Sequence, residues 1–165
     1  MQGKTEGLVQ LRQCIEKLRI AMGGIIIAFN AVFAEALLHH GQAGEALNIL
    51  DESLNEGERK NDHHFEAELN RLKGEALLQL SRSDEAEICF ERALIISREQ
   101  GAKSLELRAA MSMTRLLQQQ NKLPDTRFLL ESIYNEFTEG QDTFELQEAA
   151  KLLRVLKTSR RVSSQ

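Results

Sequence analysis

The sequence predicts an all-α fold, a right-handed superhelical solenoid of antiparallel helix hairpins that ends in a capping helix. Three observations lead to this prediction. Apolar residues recur three and four positions apart, three turn sequences are spaced by 40 residues, and each turn lies between two helical patterns. Because one hairpin cannot bury its apolar face alone, stacking of successive hairpins is the expected solution.

The turn sequences begin at Gly41, Ser81 and Asn121, and these positions define the 40-residue period. In the central unit, small residues at Gly74 and Ala86 allow the two helices to approach closely. The same columns hold small residues in the first unit and threonines in the last. The apolar stripes of the central hairpin are Leu69, Leu72, Ala76 and Leu80 on the first helix and Ala86, Phe90, Ala93 and Leu94 on the second.

We expect one repeat domain over residues 1–158, followed by a disordered tail at 159–165. The expected hairpins are 25–60, 62–100 and 102–138. Within them, we place the first helices at about 25–40, 62–80 and 102–120 and the second at about 44–59, 84–99 and 124–137. A capping helix is expected at 142–157, where it covers the last apolar face.

Residues 4–22 carry an apolar stripe that matches the second helix of an earlier, incomplete repeat. We therefore expect the chain to start inside a repeat, as a fragment of a longer protein would. An open apolar face at this end would also allow two copies to form a homodimer.

Composition narrows the function class. The chain has 42% hydrophobic and 28% charged residues, which excludes a disordered protein, and its net charge of −4 gives no general attraction to nucleic acid or to an anionic membrane. No apolar run reaches the length of about 20 residues that a membrane span needs. We expect a cytoplasmic protein, with Cys14 and Cys89 as small buried apolar side chains.

The series Gly74, Leu77, Ala86, Phe90 and Ala93 resembles the tetratricopeptide signature of alternating small and large residues. The period of 40 exceeds the usual length of about 34, which implies longer helices. In this respect the chain is similar to the helical repeat regions of large bacterial regulators related to the maltose-regulon activator.

Three segments, 66–75, 102–110 and 137–143, resemble the C-terminal repeats of predicted signalling ATPases. Some of those proteins carry a nucleotide-cyclase domain and others a winged-helix DNA-binding domain. The resemblance extends from Gly3 to about Leu156 and implies a sensor or scaffold segment of a bacterial regulator. The chain has no Gly-x-x-x-x-Gly-Lys-[Ser/Thr] phosphate loop, and Ser53 and Ile133 stand in a column usually held by alanine.

The sequence gives little support for metal binding or catalysis. The adjacent pairs His39–His40 and His63–His64 lack the i, i+4 spacing with which helical histidines share a metal ion. Cys89 lies on an apolar stripe, and no serine has a placeable base. We therefore expect no enzyme activity, no cofactor and no metal, and the short basic C-terminus does not predict direct nucleic-acid binding.

In tetratricopeptide superhelices the first helix of each unit lines the concave wall, and that geometry assigns a candidate partner-binding surface. Its members would be Glu35, Leu38, His39, Glu68, Arg71, Glu75, Gln79, Arg108, Met111, Arg115 and Gln119. Arginines in this set could grip an acidic partner segment. The alternative is a solvated face with intramolecular pairs such as Arg71–Glu75 and Glu68–Arg108.

The function that the sequence favours is a protein-interaction or scaffold module, the C-terminal regulatory segment of a bacterial signal-transduction ATPase or transcriptional regulator. Its partner would be a protein, a peptide or the ATPase domain of the parent protein. The alternative is a small-ligand (inducer) sensing domain of such a regulator.

Overall fold

The computed structural model describes residues 7–15, 26–120 and 122–162, without the side chains of 123–127 and 158–162. All regular secondary structure in these residues is α-helical, so the predicted all-α class is confirmed. The helices are α1 (7–15), α2 (Ile26–His39), α3 (Ala43–Lys60), α4 (Glu66–Gln79), α5 (Ser83–Glu99), α6 (Lys103–Gln119), α7 (Leu123–Tyr134) and α8 (Phe144–Val162). None of the described helices is both long enough and apolar enough to cross a membrane.

Three helix ends differ from the sequence expectation. α4 begins at Glu66 instead of about 62, because the amide of Glu66 bonds the carbonyl of His63 in a turn. α7 ends at Tyr134 instead of about 137. α8 continues to Val162 although its apolar stripe ends near 157, since no glycine or proline interrupts 144–162. The expected disordered tail is therefore helical over residues 159–162.

Residues 163–165 of the expected tail lie outside the described residues. Of the helix expected at 4–22, residues 7–15 are described and are helical, whereas 4–6 and 16–22 lie outside the described residues. Cys14 on α1 is exposed, so the expectation that it is buried is wrong. It lies about 100° around the helix from the buried Ile15 and so points away from the apolar stripe.

The chain forms two compact units, residues 1–89 and 90–165. In the first unit α3 packs against both α2 and α4, and α2 also contacts α4. Its core includes Leu37, Leu50, Leu72 and the fully buried Ala34 and Ala46, where α2 and α3 meet. Small residues at that crossing let the two backbones approach, as the repeat pattern predicts.

In the second unit α7 packs against both α6 and α8, and α6 also contacts α8. Fully buried core residues in this unit include Phe90, Ala110, Leu130 and Ala149. α8 contributes Leu146, Ala149, Leu153 and Leu156 to the core, all from one stripe.

Four helices end in the same way, with a residue in the left-handed conformation. Gly41, Asn61, Ser81 and Gly101 have φ of 72°, 53°, 62° and 64° and are spaced by 20 residues. In each case this residue's amide bonds the carbonyl three residues back, and the next amide bonds the carbonyl five residues back, at 2.9–3.2 Å. This is the Schellman motif, which satisfies the last carbonyls of a helix. Two such 20-residue segments make one 40-residue hairpin.

Replacing Ser81 with glycine is expected to raise the free energy of unfolding by about 1 kcal/mol, because an L-residue with positive φ carries steric strain that glycine avoids. Urea denaturation would measure the change. The reverse substitution, Gly101→Ser, is the matched control and is expected to lower stability by a similar amount. Equal stabilities for Ser81→Gly and the unmodified chain would contradict the assigned strain.

Candidate interaction surface

α2 and α4 bring seven of the predicted site residues into the first unit. Glu35, Leu38 and His39 lie on α2, and Glu68, Arg71, Glu75 and Gln79 follow the helical spacing of one face of α4. We call these seven residues the α2/α4 surface. Since α2 and α4 are in contact, the two sets lie side by side.

Arg71 and Glu68 form a buried ion pair at the centre of the α2/α4 surface. Nε and Nη2 of Arg71 donate to the two carboxylate oxygens of Glu68 at 2.9 and 2.7 Å, in the bidentate geometry that arginine favours. Only 7% of Arg71 and 8% of Glu68 are exposed. Burial alone lowers the pKa of Arg71, but the hydrogen bonds and charges of its carboxylate neighbours outweigh it, so the pKa is raised and the guanidinium stays charged.

Two further carboxylates approach the same guanidinium. Nη2 of Arg71 lies 3.5 Å from Oε1 of Glu35, and Nη1 lies 3.8 Å from Oε1 of Glu75. The side chains of Glu35 and Glu75 are 40% and 32% exposed. The surface thus consists of a fixed, buried pair with partly exposed carboxylates on either side.

A second polar link connects α4 to α2. Nε2 of Gln79 donates to the carbonyl of Leu38 at 3.1 Å, near the C-terminal ends of both helices. Gln79 and His39 are exposed, whereas Leu38 is 8% exposed and belongs to the core. Together with the Arg71–Glu35 contact, this bond fixes the alignment of α4 against α2.

The structure changes how several predicted site residues are understood. Glu68, Arg71 and Leu38 are buried, so they support the surface instead of lining it, and the fork of Arg71 is already occupied by Glu68. The predicted Arg71–Glu75 pair is present, although 3.8 Å is a loose contact. Glu68 and Arg71 are buried because α4 has buried residues around most of its circumference, which the apolar stripe in the sequence does not reveal.

The other four predicted residues lie on α6 in the second unit. Arg115 and Gln119 are exposed, Arg108 is half-buried, and Met111 is 6% exposed. Arg115 is close enough to Glu148 to help lower the pKa of that carboxyl, although the main cause is the hydrogen bond from Lys151. Met111 packs in the core because it is buried, and the other three predicted residues of α6 are cationic or polar.

The histidines and cysteines do not assemble a reactive site among the described residues. His63 and His64 each bond a neighbouring carboxylate, Glu66 at 2.8 Å and Asp62 at 3.0 Å. The described chain holds no group of three or more side chains suited to a metal ion. Cys89 is buried, as predicted.

A polar hollow beside α2 and α3 was not predicted. Its volume is about 640 Å³, and its lining includes Ile27, Asn30, Glu52, Ser53, Arg59 and Lys60. Ser53 is 1% exposed, accepts a hydrogen bond from Nδ2 of Asn30 at 2.9 Å and donates to the carbonyl of Ile49 at 2.8 Å. The sequence signal was Ser53 itself, a hydroxyl in an alanine column, but Asn30 and the hollow could not be inferred from it.

Comparison with known proteins gives no relative: no family model and no curated protein matches this chain. The resemblance to tetratricopeptide regulators therefore remains a hypothesis that depends on the residues quoted for it.

Proposed function

We propose that the chain is a protein–protein interaction module, the C-terminal regulatory segment of a bacterial signal-transduction ATPase or transcriptional regulator. The α2/α4 surface and the exposed groups of α6 would each contact the partner, a protein, a peptide or the parent's own ATPase domain. The right-handed superhelical stacking of tetratricopeptide-like hairpins is part of this proposal. No reaction and no cofactor is proposed.

The observation that carries the proposal is the fixed geometry of the α2/α4 surface. The bidentate Glu68–Arg71 pair is almost fully buried, and it holds charge beside Glu35 and Glu75, which are partly exposed. A partner that meets groups already held in position loses less conformational entropy on binding. A merely solvated helix face has no need of a buried ion pair, whose desolvation is costly.

The two units differ in the sign of the charges at their predicted site residues. Around Arg71 the exposed groups are carboxylates, so the first unit suits a lysine, an arginine or an amino terminus. On α6 the exposed Arg115 and half-buried Arg108 suit an acidic side chain or a carboxyl terminus. This modifies the expectation of arginine-led binding, because Arg71 already has its partner.

The test is capture of partners from cells by the tagged chain, compared across charge-reversed variants by quantitative mass spectrometry. Glu35→Lys with Glu75→Lys alters the first unit, and Arg108→Glu with Arg115→Glu alters the second. Glu58→Lys with Glu99→Lys is the control for the first-unit variant, since it makes the same charge change at exposed positions near helix ends. Circular dichroism of each variant shows whether it is folded.

We expect a protein that the unmodified chain and the control retain and that each surface variant loses at least about tenfold, a difference of 1.4 kcal/mol. A set of captured proteins that is the same for all four chains would refute the assigned surface. The absence of any captured protein would count against the interaction role as a whole.

A second candidate function, small-ligand sensing within such a regulator, is favoured by one observation, the polar hollow of about 640 Å³. Cavities of this size are typical of small-molecule sites. A thermal-shift screen with metabolites tests it, because a ligand that binds the folded state raises the unfolding temperature as its concentration rises. No concentration-dependent shift from any metabolite would exclude this function for the compounds screened.

A further inference from the structure

A second cavity lies beside α1, α2 and α3, with a volume of about 190 Å³. Each helix lines it with residues three or four positions apart, which share one face of a helix. Its apolar walls come from Ile15 of α1, Phe33 of α2 and Ile49 of α3. Ile15 and Phe33 are only 6% and 4% exposed, so these walls belong to the packed core and hold a fixed shape.

The side-chain amide of Asn30 lines the same cavity and has an unused acceptor. The hydroxyl of Ser53 donates its single hydrogen to the carbonyl of Ile49 at 2.8 Å, so it can only accept from Asn30. The amide nitrogen of Asn30 therefore faces Ser53 at 2.9 Å, and its carbonyl oxygen faces away. None of the described residues donates to that oxygen. The hydroxyl of Ser53, in a column that holds Ala93 one period later, thus orients Asn30.

The charged side chains of the cavity leave one carboxylate unpaired. Arg12 is the only cation among the described lining residues, and it pairs with Glu45 and lies 5.9 Å from the ring centroid of Phe33. Glu52 is exposed and forms no ion pair with any described residue. One cation and two carboxylates give this lining a net charge of −1.

We infer that this cavity binds a primary ammonium group on a short aliphatic chain, held between the carboxylate of Glu52 and the carbonyl oxygen of Asn30. The two acceptors are neighbours, because Asn30 bonds Ser53, the residue that follows Glu52. An ammonium has three donors and no acceptor, so it matches a site with two free acceptors and a net negative charge. The aliphatic chain of the ligand packs on Ile15 and Ile49.

Amide chemical-shift titration of the isotope-labelled whole chain with n-butylammonium chloride tests the assignment, at an ionic strength held constant with sodium chloride. This probe has the four-carbon chain and the ammonium of lysine and stays charged at pH 7. We expect saturable shifts at Asn30 and Glu52, with a dissociation constant on the order of 1–10 mM. The neutral isostere n-butanol should bind at least about tenfold more weakly. Equal affinity of the two probes, or no saturable shift up to about 100 mM n-butylammonium, would overturn the assignment.

Two variants locate the ammonium. Glu52→Gln removes a charge at an exposed position, and we expect it to weaken n-butylammonium binding about tenfold. Glu58→Gln, the matched control, makes the same change at another exposed position of α3 and should leave the affinity unchanged. Asn30→Ala removes the second acceptor and should also weaken binding about tenfold, with circular dichroism to show that the variant is folded. Unchanged affinity in Glu52→Gln or in folded Asn30→Ala would refute the position assigned to the ammonium.

The ammonium can come from a lysine side chain of another protein or from a free amine, and Nα-acetyl-lysine methylamide separates these sources. Affinity equal to that of n-butylammonium assigns the site to a lysine side chain, whereas binding at least about tenfold weaker assigns it to a free amine. Either result supports a primary ammonium. The inference does not rest on the proposed partner docking, because none of the lining residues belongs to the α2/α4 surface.

Discussion

Replacing Arg71 with methionine is expected to lower the free energy of unfolding by about 3–5 kcal/mol. The substitution removes the bidentate partner of Glu68, which is 8% exposed, and leaves three carboxylates around the site of the lost guanidinium. Methionine has a similar length and is apolar, so the loss of charge dominates over the loss of volume. Urea denaturation followed by circular dichroism would measure the change.

Two further variants separate the ion pair from packing. Glu68→Gln should cost less than Arg71→Met, because Arg71 keeps Glu35 at 3.5 Å and Glu75 at 3.8 Å. The double variant Glu68→Leu with Arg71→Met should recover most of the lost stability, since an apolar pair can replace a buried ion pair at little cost. If Arg71→Met and Glu68→Gln are equally destabilising, Glu35 and Glu75 do not stabilise the Arg71 guanidinium when Glu68 is replaced.

Replacing Gly57 with alanine is expected to lower the free energy of unfolding by about 1–2 kcal/mol, although alanine is the better helix former by about 1 kcal/mol. A Cβ atom at this position would lie 2.8 Å from the backbone oxygen of Asp62, closer than side chains approach in folded proteins. The contact arises because the amide of Asp62 bonds the carbonyl of Gly57 at 2.9 Å and brings the chain back over the helix.

Gly44→Ala is the matched control on the same helix, because nothing lies within 4 Å of its Cβ position. It should be neutral or stabilising by up to about 1 kcal/mol. Ser97, one period after Gly57, is fully buried and tolerates a side chain in the equivalent column, so the obstacle is specific to the longer turn at Asp62. Equal free energies of unfolding for Gly57→Ala and Gly44→Ala would show that the turn at Asp62 shifts to admit a Cβ atom without loss of stability.

The helical fold was readable from the sequence because its signals are local. Apolar spacing of three and four positions marked the helices, and Gly41 and Ser81 marked turns that the structure places in left-handed helix caps. The start of α4 was misplaced because the turn before it depends on the bond from His64 to Asp62 and on the bonds between His63 and Glu66, which have no simple sequence signature.

The candidate surface was readable only in part. Its residue positions follow from helical spacing, but the exposure of each residue depends on how many neighbours surround its helix. α4 contacts both α2 and α3, so Glu68 and Arg71 are buried although their residue types suggest exposure. Because Glu68 and Arg71 are buried, these two residues, which were predicted to bind a partner, form an internal ion pair instead.

The sequence by itself therefore determined the all-α class and the approximate position of each described helix, because backbone propensity and apolar periodicity act over a few residues. Tertiary structure alone decided which charged side chains form ion pairs and where the hollow beside α2 and α3 lies. Arg71 meets Glu35, 36 positions away, and Asn30 meets Ser53, 23 positions away, through the packing of separate helices. Contacts between side chains so distant in the chain depend on how helices dock, which the pattern along a single helix does not encode.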